Sequence, residues 1–500
     1  MAGRLQGRYG LAVALALLGL CPEIVLSTAG LPLTALVAHD LGSSPLALQL
    51  ANGLSNAGYA FGAVLAAQLA QRFVQRRLFL AYEALFVLGS VLAATAPVTG
   101  VFFAARLLQG TAAGLMLIAS LPPLVTRFGV ARLPLSVVIV NLGLFGASTV
   151  GPIVGGVAGS LHGWRWVFWA AALAGALGWV SAWLGYESFD PLDPDLPVDR
   201  AALGLALLAT VLTFTAGSLL SAVPFSSPAF WAPMVGGLLL IWLLVRTERR
   251  KEQPLMPVPA LSTQLPVTGI VVAMVGGAVF TTLALLLQTS LQKVGHQDPL
   301  SAAGAFWPAP LGLLVAATAF GLVFRTRWLP VLVDAGLACL VLAALLLVLT
   351  GGARPSGWTW VATLLLGLGA GATVSPGLFL AGFGVRSRLL GRAFALVQLF
   401  RSEATFAVAP LVAAVAGLSS DPAAGLRLAF LVTLVLAALG LLAAVLLPAL
   451  SGARLRTPDL EAWLEDGEQA MVSPVTAVHA RRGVDDGTAE PLLPRRGPRR

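Results

Sequence analysis

Residues 150–159 read Val150-Gly151-Pro152-Ile153-Val154-Gly155-Gly156-Val157-Ala158-Gly159, and residues 408–417 read Val408-Ala409-Pro410-Leu411-Val412-Ala413-Ala414-Val415-Ala416-Gly417. The two stretches lie 258 residues apart. In the same way Arg106-Leu107-Leu108-Gln109-Gly110-Thr111-Ala112-Ala113-Gly114 returns as Thr363-Leu364-Leu365-Leu366-Gly367-Leu368-Gly369-Ala370-Gly371, at an offset of 257. Apolar runs broken by charges, proline and glycine divide the chain into fourteen candidate membrane spans, near 10–36, 46–70, 77–97, 99–125, 133–159, 163–186, 200–222, 229–247, 266–292, 299–324, 327–351, 357–381, 392–419 and 425–450. The paired segments then fall in spans five and thirteen and in spans four and twelve. Spans 1–6 and 9–14 read as two copies of one six-helix bundle, with spans seven and eight inserted between them. The expected fold is an all-α polytopic membrane protein. Its parts are an N-terminal bundle (1–186), an acidic linker with the two-helix insert (187–258), a C-terminal bundle (259–450) and a cytoplasmic tail, mostly disordered (451–500). Parallel six-helix repeats of this kind build transporters, with the substrate site near the midplane between the halves.

The repeat also shows what each half requires. In span five Ala147, Gly151, Gly155 and Gly159 recur every four residues, beside Pro152 and Gly156; Thr405, Ala409, Ala413 and Gly417 do the same in span thirteen. Small residues at that spacing let two helices approach closely in lipid. Pro152 and Pro410 bend or loosen the helix locally. A bent helix on a small-residue seam suits a rocking interface, and it equally suits dense static packing.

Composition excludes other classes. Of 500 residues 58% are hydrophobic and 11% charged, against about a quarter charged in soluble domains. Disorder, a disulfide scaffold and a nucleic-acid-binding domain are excluded with them. The net charge of +9 lies in short loops and the tail, where basic residues set topology. With the N-terminus inside, 25 Lys and Arg fall on the cytoplasmic side and four outside (Arg165, Lys293, Arg354, Arg427), while Arg106 and Arg401 lie within spans. Both termini are expected in the cytoplasm and the protein in the inner or plasma membrane. The first apolar run follows Arg4 and Arg8 but has no small-residue cleavage site after it, so it reads as a helix, not a signal peptide. The linker Glu187 to Arg200 carries Asp190, Asp193, Asp195 and Asp199 among prolines and reads as extended. In the tail, Thr457-Pro458-Asp459 would open one short helix through Trp463, capped by Thr457. Cys21 and Cys339 read as packing residues. No His, Cys or acid cluster has ligand spacing, so no metal is expected.

At these residues the chain resembles the major facilitator superfamily, and within it the fourteen-span drug:proton antiporters, over residues 1–450. Gly151-Pro152-Ile153-Val154-Gly155-Gly156 is similar to the antiporter motif, and Arg106-Leu107-Leu108-Gln109-Gly110 to the Arg-x-x-Gln-Gly motif. Glu23 through Leu31-Pro32 is similar to the acidic signature of span one; Gly163 to Phe168 and Glu248 to Leu255 fit the same subgroup. The gating loop between spans two and three departs from the family pattern. It keeps Leu69, Ala70, Arg72 and Arg76, with Gln71 for the usual Asp and Val74 for the usual Gly. The resemblance implies the major-facilitator fold, and it implies that Arg106 and Glu23 take part in proton coupling.

Six ionisable residues fall within spans: Glu23, Glu83, Arg106, Asp334, Arg401 and Glu403. Each costs at least about 2.5–3.5 kcal/mol at the bilayer centre, which makes each a functional candidate with a partner to be found. Burial favours a protonated carboxylic acid and a nearby guanidinium favours the carboxylate. A movable pairing of Glu23 with Arg106 would therefore switch the acid between the two forms; a static pair would only join spans one and four. Arg401 and Glu403 point about 200° apart, so one is expected to face the cavity and the other a neighbouring helix. Glu403 is a candidate second acid, for protons or a cationic substrate. Glu83 and Asp334 are expected to anchor a loop Arg or a helix end. Arg401, Gln109, Asn141, Phe145 and Phe280 are the candidate cavity lining; Phe61 and Trp307 are further wall candidates, and lipid-facing or core positions are the leading alternative for all four aromatic residues. Trp164, Trp166 and Trp169 read as an interfacial belt first and a binding surface second.

No Gly-x4-Gly-Lys-Ser/Thr is present, so energy must come from an ion gradient or transport is passive. The expected function is proton-coupled efflux of small lipophilic compounds, cationic ones included, such as drugs or antibiotics, by alternating access. The expected partners are that small molecule, protons and the lipid bilayer, with no nucleic acid and no cofactor, and the chain works as a monomer. An importer or uniporter on the same fold is the alternative. A polytopic transferase is the remote one, because the outside loops hold only isolated His and Asp residues.

Overall fold

The computed structural model describes residues 8–186, 191, 197–220, 222–450 and 457–471. Sixteen α-helices are found among them: α1 (Tyr9–Asp40), α2 (Pro45–Arg72), α3 (Gln75–Thr95), α4 (Thr99–Thr126), α5 (Leu133–Ser160), α6 (Trp164–Gly185), α7 (Arg200–Leu219), α8 (Pro228–Glu248), α9 (Val258–Leu261), α10 (Gln264–Thr289), α11 (Pro299–Gly304), α12 (Pro308–Val323), α13 (Leu329–Thr350), α14 (Gly357–Phe383), α15 (Leu390–Ala416) and α16 (Pro422–Leu450). Several start signals are local and chemical. Ser44-Pro45, Ser227-Pro228 and Asp298-Pro299 each place a capping oxygen before a proline that needs no hydrogen-bond partner for its nitrogen.

Among the described residues, thirteen helical segments are long and apolar enough to cross a membrane, against the fourteen expected. The exception is α2, which has the length (28 residues) but carries Gln49, Asn52, Ser55, Asn56, Gln68 and Gln71. Those side chains face protein and cavity, not lipid. Large apolar side chains such as Leu173, Trp183, Leu239, Trp242, Leu349 and Leu439 stand exposed on α6, α8, α13 and α16. An apolar surface that extensive belongs against hydrocarbon.

The duplication is visible in packing. Helices α1–α6 form one bundle and α10–α16 the other. A Cβ at Gly110 or Gly114 of α4 would land on the backbone of Ser55 or Tyr59 in α2. In the second copy Gly367 of α14 meets the backbone of Ala309 in the same way, and Gly371 meets Leu313, both on α12. The glycines at matching repeat positions thus hold matching helix pairs in backbone contact.

The halves meet along two seams, α5 against α11 and α12, and α2 against α15. The insert hairpin α7–α8 lies over the second seam. Phe214 of α7 stacks on Phe406 of α15 with ring centroids 4.3 Å apart, and Gly217 lets α7 approach Pro410. A clasp fastens the base of this hairpin. Asp199 caps α7 through the Ala202 N–H at 3.0 Å and also meets the Lys251 ammonium, which donates to Glu248 at 2.6 Å. The other Glu248 oxygen accepts the Met256 N–H at 2.9 Å.

Burial, the largest single influence, pushes the Asp199 carboxyl up, but the hydrogen bonds from Lys251 and the Ala202 N–H and the lysine charge together outweigh it and hold the carboxyl below its usual range. Burial likewise opposes the Lys251 charge, and the two carboxylates raise the lysine in spite of it. A carboxyl lowered by folding stabilises above its ordinary value of about 3.9 and ceases to as pH falls through the folded value. A raised lysine contributes at and below its ordinary value of about 10.4 and is lost as pH rises through the folded one. The clasp is therefore closed across neutral pH. Amide exchange in 249–257, corrected for the intrinsic rate, is expected to stay slow there and to quicken below about pH 4. Lys251→Ala is expected to quicken it at neutral pH; unchanged exchange would show that the clasp fastens nothing.

Four expectations need correction or completion. Trp164 is not part of an exposed belt. It is 1% exposed and its indole donates to Asp40 at 2.8 Å, while Arg165 stacks on it with its guanidinium carbon 4.2 Å from the ring centre. Trp166 and Trp169 remain exposed. The tail turn is capped by Asp459, not Thr457: the Asp459 carboxylate accepts the Ala462 N–H at 3.1 Å. Trp463 is buried edge-on against Phe383 and donates to the Val385 carbonyl at 3.0 Å, which docks this segment on the α14–α15 connection. Neither Glu83 nor Asp334 anchors an arginine among the described residues; both Glu83 oxygens are buried against Gly19 and Gly178 without a hydrogen bond. The acidic stretch 187–190 and 192–196 and the tail at 451–456 and 472–500, read as extended linker and disorder, lie outside the described residues.

Candidate functional site

Glu23 and Arg106 meet across α1 and α4. The guanidinium grips both carboxylate oxygens, Nη1 to Oε2 at 3.1 Å and Nη2 to Oε1 at 3.0 Å. The residues are 2% and 0% exposed. Every neighbour serves the pair. Arg106 Nη1 also donates to the Gln109 amide oxygen at 2.8 Å, and Nε donates to Asn52 at 3.3 Å. Gln109 is fixed in turn by donating to Ser90 of α3 at 2.9 Å. The hydroxyls of Ser27 and Ser55 donate to Glu23 Oε1 at 3.1 and 3.0 Å. A bidentate carboxylate–guanidinium pair with its remaining valences bonded is the arrangement that makes a buried charge pair tolerable.

The pair is not sealed away, because Glu23 lines the large cavity between the two bundles. That cavity measures about 1260 Å³. Its wall includes Phe145, Phe280 and Arg401 as expected, together with Pro152, Tyr59 and Phe406. Connecting-segment residues on it include Val223, Pro224, Phe225, Lys293, Leu418 and Ser419, from the α7–α8, α10–α11 and α15–α16 connections. With alternating helices these lie on the face opposite the N-terminus, so the cavity opens there. On the N-terminal face the halves are closed. Gln71 of α2 accepts a hydrogen bond from Arg392 of α15, and Gly391 sits 3.6 Å from Pro122 of α4, measured from an added Cβ. The departure of Gln71 from the family's Asp thus leaves a neutral acceptor under a cation of the other half.

Other expected lining residues are elsewhere. Gln109 stands behind the ion pair. Asn141 is fully buried and donates from Nδ2 to the Gly371 carbonyl at 2.7 Å, joining the halves below the cavity wall. Phe61 and Trp307 do not line the cavity, and Trp307 is half exposed. Glu403 does not line it either: its buried carboxylate lies against Thr213 of the insert helix α7 and makes no hydrogen bond of proper geometry. Of the span-five seam, Gly151 packs on Thr28 of α1, and Gly156 packs across the halves on Pro299 and Ala303 of α11. Ala147 and Gly155 are buried within it, and Gly159 is half-buried. In span thirteen the matching Thr405, Ala409, Ala413 and Gly417 line the cavity instead. Sequence reasoning missed Asn52, Ser55, Asn56 and Tyr59. The signal was present, since polar residues at that spacing in an otherwise apolar helix mark one wetted face.

Comparison with known proteins agrees with this architecture. A family model described as Major Facilitator Superfamily matches residues 15–410. The chain is 29% identical over 360 residues to the drug efflux pump JefA of Mycobacterium tuberculosis, covering 69% of each chain. It is 26% identical over 273 residues to the uncharacterized MFS-type transporter YubD of Bacillus subtilis, covering 54% of this chain. The match spans about half of that relative, 53% of its length. A crystal structure of a POT family transporter in complex with a thioalcohol-conjugated peptide aligns with a TM-score of 0.65 at 15% identity, covering 88% of this chain and 96% of that one, a likeness of fold alone.

Proposed function

Because the chain belongs to the major facilitator superfamily, and is therefore a multi-pass membrane transporter and not an enzyme, we propose that it exports small lipophilic compounds in exchange for protons. The observation that carries this reading is Glu23 on the cavity wall, gripped from behind by buried Arg106. A named drug efflux pump among its relatives supports the direction.

By the asymmetry of basic residues, the N-terminal face is the cytoplasmic one. The conformer described is then open to the outside, in the cytoplasmic membrane. A proton entering the cavity reaches Glu23. Protonation removes the charge that holds the guanidinium and leaves Arg106 to Gln109 and Asn52. The loosened α1–α4 contact favours repacking of the α5–α11 and α2–α15 seams and opening of the cytoplasmic face. There, substrate entry and return of the Arg106 grip expel the proton. Each ligand shifts the two-state equilibrium only by its differential affinity for the two states. One chain contains both halves and the whole cavity, so a monomer suffices.

The test uses everted membrane vesicles with one anionic, one neutral and one cationic fluorescent amphiphile. Accumulation of at least one is expected to require an inside-acid pH gradient and to collapse when the gradient is dissipated. Identical accumulation with and without the gradient would refute proton coupling.

A further inference from the structure

We propose that the cavity recognises an anionic group, a carboxylate or its like, on an apolar substrate, and that Arg401 is the residue that holds it. The inference rests on reading the cavity as the substrate site and adds the chemistry of what enters. Among the described residues, three charged side chains line the cavity: Glu23, Lys293 and Arg401. The single acid is already neutralised by the two-pronged grip of Arg106. Lys293 stands exposed at the mouth. Arg401 stands in the wall, and among the described residues the only hydrogen bond of its side chain runs from Nε to the neutral amide oxygen of Gln398 at 3.2 Å. Among the described residues no carboxylate lies within ion-pair distance of it. The acid two residues on, Glu403, points away to α7 and is outside the cavity.

The side chain is also held in position. Its stem crosses Gly277 of α10, where a Cβ would stand 3.1 Å from Cγ and 3.5 Å from Cδ, and Gln398 holds Nε. Phe145, Phe280 and Phe406 line the same cavity and offer an apolar bed for the rest of the ligand. A half-buried cation at membrane depth without a counter-charge is costly and is retained where a ligand supplies the missing charge. A guanidinium meets a carboxylate through two parallel charge-assisted bonds, a geometry that an amide or an ammonium does not match. A cationic ligand would meet two cations and an acid already spent on another arginine.

The experiment is equilibrium binding to the full-length protein in zwitterionic-lipid nanodiscs, read by tryptophan fluorescence. Three probes share one apolar body: 1-naphthaleneacetate, its neutral carboxamide and the corresponding primary ammonium. The carboxylate is expected to bind at least about tenfold tighter than either of the others. Arg401→Gln is expected to erase that preference by weakening the carboxylate far more than the carboxamide, and carboxamide binding that persists shows the cavity intact. Arg401→Lys is expected to restore part of it. Tightest binding of the ammonium, or a carboxylate preference that survives in Arg401→Gln, would overturn the proposal. Binding needs no gradient and has no direction, so these outcomes stand apart from those of the vesicle assay.

Discussion

Arg106→Ala is expected to abolish gradient-driven accumulation in vesicles while the protein still inserts into the membrane. The expectation follows from what the side chain holds. Removing it strands the Glu23 carboxylate, frees Gln109 and Asn52, and leaves a void where a fully buried guanidinium stood. Breaking one side of such a pair costs about 3–5 kcal/mol, so the single variant loses stability as well as activity. The paired variant Glu23→Gln/Arg106→Gln separates the two effects. With no charge left unpaired it is expected to recover thermal stability close to the parent and to remain inactive in transport. Full activity in Arg106→Ala, or recovery of transport in the double variant, would assign the pair to structure alone.

The second large effect lies in the duplicated glycines. Gly110→Val and Gly367→Val are each expected to lower the midpoint of thermal unfolding in detergent by about 5 °C or more and to reduce monodisperse yield. A Cβ at either position would occupy the place of a carbonyl on the facing helix, Ser55 in one half and Ala309 in the other, so backbones must separate. Gly204→Ala, where nothing lies within 4 Å, is the control and is expected to be neutral or slightly stabilising. Equal losses at Gly110 and Gly367 would show that both copies of the repeat use the same contact. A neutral Gly110→Val would mean that α2 and α4 are not in backbone contact.

Much of this was legible in the chain because it is periodic or local. The repeat at 257–258 residues put Gly110 and Gly367 at matching places, and both meet backbone; close approach was expected in spans five and thirteen instead, and in span thirteen the matching residues line the cavity. The 200° between Arg401 and Glu403 placed one in the cavity and sent the other to a neighbouring helix, because helix geometry alone fixes that angle. Depth and partner were not legible. Gln109 and Asn141 lie on cavity-side helices, yet one stands behind the ion pair and the other closes onto the Gly371 carbonyl, 230 residues away. Asn52 and Ser55 escaped notice because their partner is an ion pair formed by two other helices. The burial of Trp164 depends on Asp40, 124 residues away, which no local pattern of tryptophans reveals. The shortfall of α2 in apolarity has the same origin: its polar face looks at a cavity that only the assembled fold creates.

The central claim is that Glu23 gives up a proton when substrate binds. The direct measurement is proton release from purified protein in weakly buffered solution, followed with a soluble pH indicator, on addition of the amphiphile that accumulates in vesicles. With the protein first equilibrated at a pH acid enough to protonate Glu23 and break the Arg106 grip, release is expected to approach one proton per protein at saturation and to vanish in Glu23→Gln with binding retained. Undiminished release in Glu23→Gln, or binding without any release in the parent, would contradict it.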